Sequence, residues 1–332
     1  MMENQSQHHE FELPLEGKNP IKCISSSPSQ STPSAQTATP PSLIFTHGAG
    51  GTLHSDGILN FRIGFTSQSP IICFQGSMNL SSRVKMFDAV ISHHAESAPV
   101  LALGGRSMGA RAAVMAGEGK EDVKALVLVS YPLHTGKGDM RDDILLAIGE
   151  GVKVLFVVGD RDEMCDLEKL EDVMGKMNAE SWRIVAESAD HGMTVKPKAG
   201  TQAVGELTGK VVAEWLKIVN EGKIGEQGKE GRISWDSEGV TGIWGGWEEK
   251  AANVVKPKKK PKEEPKKEPE AKPYNEPKKV SKKAKGLQPE QGQSHEDDTA
   301  ELPTTGKRRR SARISLAKDT QKDDIAHKRR KE

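Results

Sequence analysis

The chain has 332 residues, of which 35% are apolar and 4% aromatic, too few large apolar side chains for its whole length to be packed. The net charge of +1 hides a division: residues 221–332 carry 28 Lys and Arg against 21 Asp and Glu, whereas residues 1–220 carry 20 against 26, an acidic globule followed by a basic tail. Cys23, Cys73 and Cys165 fit neither a disulfide framework nor a zinc spacing, the N-terminus lacks the apolar stretch of a signal peptide, and no run of about 18 apolar residues occurs. Disulfide-stapled and membrane-spanning classes are thereby excluded, and the expectation is a soluble protein of a reducing intracellular compartment, nucleus or cytoplasm.

Residues 1–24 are polar apart from two apolar patches, Phe11–Leu15 and Ile21–Ile24, which suit a short edge hairpin. Residues 25–41 are rich in Ser, Thr and Pro and read as a linker or surface loop. From Ser42 the texture changes. Apolar runs at Leu43–Thr46, Pro70–Phe74, Val100–Leu103, Ala125–Ser130, Val152–Val158 and Ser181–Val185 have the length and β-branched content of strands covered on both faces. Helical spacing of apolar residues appears between them at Val84–Ile91, Ala110–Ala116 and Leu167–Met177, and a last helix is predicted over Val204–Val219. Residues 52–69 carry few apolar groups for a buried helix. Alternating strands and helices predict an α/β fold with a mostly parallel sheet and helices on both faces. The expected organisation is an N-terminal segment with linker over 1–40, a folded domain over 41–220, and a disordered tail rich in Lys, Glu and Pro over 221–332.

Gly105-Arg106-Ser107-Met108-Gly109 is a G-x-S-x-G sequence that ends a strand pattern and opens a helix pattern, the setting of a nucleophile elbow. Asp162 follows just past the fifth core strand and His191 a few residues past the sixth. The chain order Ser, Asp, His, each after the C-terminal end of a strand, predicts a triad in which His191 takes the proton of Ser107 while Asp162 orients the imidazole. Asp160 and Asp190 compete with Asp162 for the acid role, and an Asp in such a place also serves as a turn or cap residue. His47-Gly48-Ala49-Gly50-Gly51 follows the first core strand. Its backbone N–H groups, that of Ala49 foremost and Gly48 beside it, together with the amide of Met108, are candidate oxyanion donors. His47 reads as shaping that loop. The loop has no G-K-[ST] ending, so nucleotide binding is rejected, and no cofactor or metal is expected. Arg106 and Arg111 flank the serine; Arg106 either meets an anionic substrate group or pairs with a carboxylate. Cys165 reads as a small buried filler.

The blocks Leu103-Gly104-Gly105-Arg106-Ser107-Met108-Gly109-Ala110-Arg111, Ser130-Tyr131-Pro132-Leu133-His134, Asp162-Glu163-Met164-Cys165 and Ala189-Asp190-His191-Gly192-Met193 resemble the α/β-hydrolase-like family of the testis-expressed (Tex) proteins and the KANSL3-type subunit of a histone acetyltransferase complex. More distantly they are similar to dienelactone hydrolases. The resemblance covers about residues 41–219 and implies an α/β-hydrolase fold with Ser107, Asp162 and His191 at the matching positions. It implies no particular reaction, since one relative serves as a chromatin-complex subunit.

Two basic clusters, Lys307–Arg310 and Lys328–Lys331, read as nuclear-localisation or polyanion-binding elements. Trp235, Trp244 and Trp247 are set to dock either on the domain or on a partner. The expected function is a serine hydrolase acting on a small ester or thioester. The alternative is a nuclear interaction scaffold that uses the same fold to hold a protein partner. No membrane partner is expected.

Overall fold

Seven strands run parallel through the middle of one ten-stranded sheet, with a two-stranded antiparallel hairpin added at one edge and a single antiparallel strand at the other. The computed structural model describes residues 7–15, 17–29, 42–95, 102–224 and 228–248. In chain order the strands are β1 (Gln7–Leu15), β2 (Lys18–Ser27), β3 (Leu43–Thr46), β4 (Ile71–Phe74), β5 (Ala102–Arg106), β6 (Ala125–Val129), β7 (Lys153–Arg161), β8 (Glu180–Asp190), β9 (Glu230–Asp236) and β10 (Thr241–Trp247). The helices are α1 (Asp56–Thr66), α2 (Leu80–Ala95), α3 (Met108–Gly117), α4 (Asp143–Leu146), α5 (Leu167–Met174) and α6 (Lys198–Asn220). Across the sheet the order is β1-β2-β4-β3-β5-β6-β7-β8-β9-β10.

Because strand side chains alternate between faces, the continuous apolar runs feed two separate cores. In β6, Leu126 and Leu128 enter one core while Ala125, Val127 and Val129 enter the other. In β7, Val154, Phe156 and Val158 oppose Leu155 and Val157 in the same way. The first core is closed by α2, α3, α4 and α5 through Phe87, Ala113, Leu145 and Leu170. The second is closed by α1 and α6 through Phe61, Phe65, Val212 and Trp215. Each large side chain so buried stabilises the fold by about 1.5–3 kcal/mol.

The structure corrects three expectations. A buried helix, α1, does occupy the stretch thought too poor in apolar groups. It needs few large residues because it packs backbone to backbone on α6: a side chain on Gly64 would run into the Glu206 carbonyl, and one on Gly209 into the Phe61 carbonyl. Ile58, Phe61 and Phe65 then suffice on its sheet-facing side, with Phe61 stacked on Phe45 at 4.4 Å.

The other two corrections concern the boundaries of the 41–220 domain. At the N-terminal side, β1 and β2 form the expected hairpin, but β2 also pairs with β4 and buries Ile21, Cys23 and Ile24, so it belongs to the sheet. At the C-terminal side, the stretch assigned to a disordered tail contains β9 and β10. Ile233 of β9 is buried, Arg183 of β8 is ion-paired with Glu230, and the Trp235 ring lies against Gly200 of α6. Trp235, Trp244 and Trp247 pack on the second core, which is what offsets the scarcity of aliphatic residues in this hairpin. The remainder of the expected tail, with both basic clusters, and most of the Ser/Pro linker lie outside the described residues. No helix among the described residues is long and apolar enough to cross a membrane.

Candidate active site

β5 delivers Ser107 at its C-terminal end, and α3 begins at the next residue. Ser107 holds φ 52° and ψ −115°, a left-handed conformation in which a non-glycine residue is strained. The turn is pinned from both sides: the Ser107 N–H donates to the Val129 carbonyl at 2.9 Å, and the Arg111 N–H to the Ser107 carbonyl at 3.2 Å. The flanking glycines allow it to close, since a Cβ on Gly105 would lie 2.5 Å from the Gly109 carbonyl carbon.

The side chain so presented reaches His191. Ser107 Oγ lies 2.9 Å from His191 Nε2, and His191 Nδ1 lies 2.8 and 2.9 Å from the two carboxylate oxygens of Asp162. The network assigns the proton to Nδ1, leaving Nε2 to accept from the serine hydroxyl. Asp162 sits in the turn after β7 with its carboxylate fully buried, and Oδ1 also accepts the Met164 N–H at 2.8 Å. His191 follows β8, in a loop closed by Asp190, whose Oδ1 accepts the Thr194 N–H at 2.9 Å. Of the three carboxylates in question, Asp162 meets the imidazole, Asp160 is exposed, and Asp190 holds its own turn.

The Gly-rich loop after β3 packs directly against this set. A Cβ on Gly48 would lie 3.3 Å from Ser107 Cβ, so only glycine lets the loop backbone come so close without pressing on the serine. Neither the Gly48 nor the Ala49 N–H takes a hydrogen-bond partner among the described residues, whereas the Gly50 N–H is occupied by Met78 Sδ at 3.0 Å. Met108, at the first position of α3, belongs to the turn whose N–H groups have no partner within the helix.

His47 is the anchor of this loop. Its Nδ1–H donates to the Gly48 carbonyl at 2.7 Å, and Nε2 accepts from the Gly76 N–H at 2.9 Å and the Gln75 side-chain amide at 2.6 Å. Arg83, fully buried on α2, donates to the His47 and Ser77 carbonyls. Gln75 and Arg83 escaped the sequence analysis because nothing in their local sequence connects them to residues some thirty positions away.

Burial lowers the basicity of His47, with the charge of Arg83 acting in the same direction. Burial lowers that of His94 as well. Unfolded imidazoles take up protons near pH 6.5 that these folded ones refuse. The unfolded state therefore binds more protons on acidification, and stability falls as the pH drops below that value. We expect the melting temperature to decline from about pH 7.5 to about pH 5.5, with a shallower slope in His47→Gln, each buried imidazole contributing at most about 1.4 kcal/mol per pH unit. An unchanged slope would mean that His47 is free to protonate in the folded protein.

Arg106, between Gly105 and Ser107, donates from Nη2 to the His191 carbonyl at 2.6 Å and makes no ion pair among the described residues. Of the two readings of Arg106, pairing with a carboxylate is not met among the described residues, where a backbone carbonyl takes its hydrogen bond. Burial lowers the basicity of Arg106, while Asp190 and Asp162 oppose that from a distance. Tyr131 of the Ser130–His134 block is buried, with its hydroxyl donating to the Arg141 carbonyl at 2.7 Å, and the His134 N–H donates to the Met164 carbonyl at 3.1 Å, tying that block to the Asp162 turn. The three cysteines are buried and free, and burial pushes each thiol up to about 12. Cys165 is therefore a protonated filler rather than a nucleophile. A cavity of about 490 Å³, lined by Val123, Leu126 and Val152, lies at the N-terminal ends of the strands, away from Ser107.

The family described as "Alpha/beta hydrolase domain" matches residues 78–219, which include Ser107, Asp162 and His191. The esterase domain of a Rhodothermus marinus protein superposes with a TM-score of 0.50 at 13% identity, covering 64% of this chain and 98% of that one. This chain has the α/β-hydrolase fold. Further similar structures are Est1E from Butyrivibrio proteoclasticus (TM-score 0.49, 15% identity, covering 64% of this chain and 99% of that one) and the dienelactone hydrolase from Anabaena variabilis (TM-score 0.49, 15% identity, covering 64% and 98%). The fold here carries an antiparallel pair, β9 and β10, beyond the end of the matched segment.

Proposed function

We propose that this chain is a serine hydrolase of small acyl esters or thioesters, of the Tex- and KANSL3-type group, with Ser107 as nucleophile, His191 as general base and acid, and Asp162 as its orienting carboxylate. The observation that carries the reading is the continuous hydrogen-bonded chain from the Ser107 hydroxyl through both imidazole nitrogens to a buried carboxylate. A fold alone hosts many chemistries, so the argument rests on these side chains.

In the proposed reaction His191 Nε2 takes the hydroxyl proton as Ser107 Oγ attacks the acyl carbon. Charge develops on the carbonyl oxygen. The Met108 N–H and the free N–H of Ala49 or Gly48 receive it, aided by the positive end of α3. The imidazolium, stabilised by Asp162, returns its proton to the leaving alkoxide or thiolate, giving an acyl-serine. Water then repeats the sequence and frees the acid. None of these steps calls on a metal or organic cofactor.

The test is covalent labelling with a fluorophosphonate. Wild type is expected to label at one site and Ser107→Ala not at all; equal labelling of the two would end the hydrolase reading.

A second reading, compatible with the first, rests on the two basic clusters in the sequence: a nuclear location or a polyanionic partner reached through the C-terminal segment. Purification of partners with full-length chain and with a chain ending at residue 248 tests it. Identical nuclear partners from both would remove the segment's role.

A further inference from the structure

We propose that Arg106 selects the substrate: the site takes short acyl esters bearing a carboxylate two or three bonds from the scissile carbonyl. This rests on the hydrolase reading above and names its substrate class.

Arg106 is held beside the nucleophile and is underused there. Ser107 Cβ and Arg106 Nη1 flank the same glycine, at 3.3 and 3.7 Å from the position a Cβ on Gly48 would take. The Arg106 side chain then runs past Gly57, where an added Cβ would meet its Cδ and Nε at 3.8 and 3.9 Å. Gly48 of the Gly-rich loop and Gly57 at the start of α1 thus stand beside the cation, and neither brings a side chain against it. Of its five N–H groups, one hydrogen bond is made among the described residues, to the neutral His191 carbonyl, and Nε is buried with no partner. No carboxylate of the described residues lies within ion-pairing distance. Asp162 is committed to His191, and Asp190 to the Thr194 N–H.

A partly desolvated guanidinium with unmet donors strongly favours a planar anion that can take two parallel hydrogen bonds. A ligand carboxylate there would take the Nη1 donors, which the described residues leave unused. Its chain, a few bonds long, would bring the acyl carbon to Ser107 Oγ. The competing explanation is that Arg106 only ties the His191 loop to β5. That would slow all esters alike, whereas recognition changes the ratio between charged and neutral ones.

The experiment compares kcat/KM of the full chain for the 4-nitrophenyl monoester of succinate and for its methyl-capped, neutral counterpart. Wild type is expected to prefer the charged ester by about tenfold to hundredfold, a preference that shrinks with added salt. Arg106→Gln should bring the ratio close to one whatever it does to the absolute rates, and Arg106→Lys should keep part of it. A wild-type ratio near one, or a ratio untouched in Arg106→Gln, overturns the proposal while leaving the hydrolase reading standing if fluorophosphonate still labels Ser107. If wild type turns over neither ester, binding decides in the Ser107→Ala background. Monomethyl succinate should raise the melting temperature where dimethyl succinate does not, and adding Arg106→Gln should remove that shift. Equal shifts, or none, overturn the proposal independently of any turnover.

Discussion

Asparagine in place of Asp162 is expected to lower kcat/KM for a small activated ester by about 10³–10⁴, while Asp160→Asn stays within about twofold of wild type. Asp162 Oδ1 accepts two N–H groups, from His191 Nδ1 and from Met164, and Oδ2 lies 2.9 Å from the same imidazole nitrogen. An amide cannot present oxygen at both positions. With its oxygen on the Met164 N–H, its nitrogen is free to turn toward the imidazole, which favours the tautomer carrying the proton on Nε2. That tautomer cannot accept the Ser107 proton. With the oxygen shared as before, the negative charge that stabilises the imidazolium is still missing. The carboxylate is fully buried, so solvent cannot replace it. The measurement is steady-state hydrolysis with circular dichroism and melting temperature as controls for folding. A folded Asp162→Asn protein with more than about a tenth of wild-type kcat/KM would remove Asp162 from the proposed reaction.

The central sheet was legible because its strands are written as short unbroken apolar runs, each ending where a turn begins; Leu43–Thr46 and Ala125–Val129 are buried at every position. Ser107, Asp162 and His191 were legible for a related reason. A parallel sheet gathers the C-terminal ends of its strands, so chain order alone says which loops meet. What escaped was everything decided across space rather than along the chain. The β9–β10 hairpin holds three tryptophans and five glycines among charged residues. By composition it belongs to the tail. Contact with α6, through Trp235 on Gly200 and Gly242 beside Leu207, gives the hairpin a surface to cover. α1 escaped because its closeness to α6 comes from glycines, which hydropathy counts as nothing. The clamp of Arg83 and Gln75 on His47 escaped because both act on a loop about thirty residues earlier. Arg106 was noticed, but its partner, the backbone carbonyl of His191, has no side-chain signature to read.

The second large effect is expected from Gly109→Ala, a change of one methyl group that removes no proposed reacting group. Gly109 lies in the first turn of α3, and a Cβ there would stand 2.6 Å from the His47 carbonyl oxygen and 2.7 Å from that of Thr46. Both obstacles are backbone, so no rotamer change relieves them. Either α3 tilts away from β3, carrying Ser107 off His191, or the His47–Ala49 loop moves and takes its free N–H groups with it. The second route is resisted, because His47 is held by Gly76, Gln75 and Arg83. The first displaces the serine, whose 2.9 Å contact with Nε2 tolerates little movement. Overpacking of this kind destabilises by about 1–3 kcal/mol, and a shift near 1 Å at the reacting atoms lowers the rate by about a hundredfold. The expected result is a folded protein with a reduced melting temperature, slowed fluorophosphonate labelling, and a larger loss in kcat than in KM. Wild-type labelling rates in Gly109→Ala would mean that the serine turn has room to spare, and that the close approach of α3 to the Gly-rich loop serves packing alone.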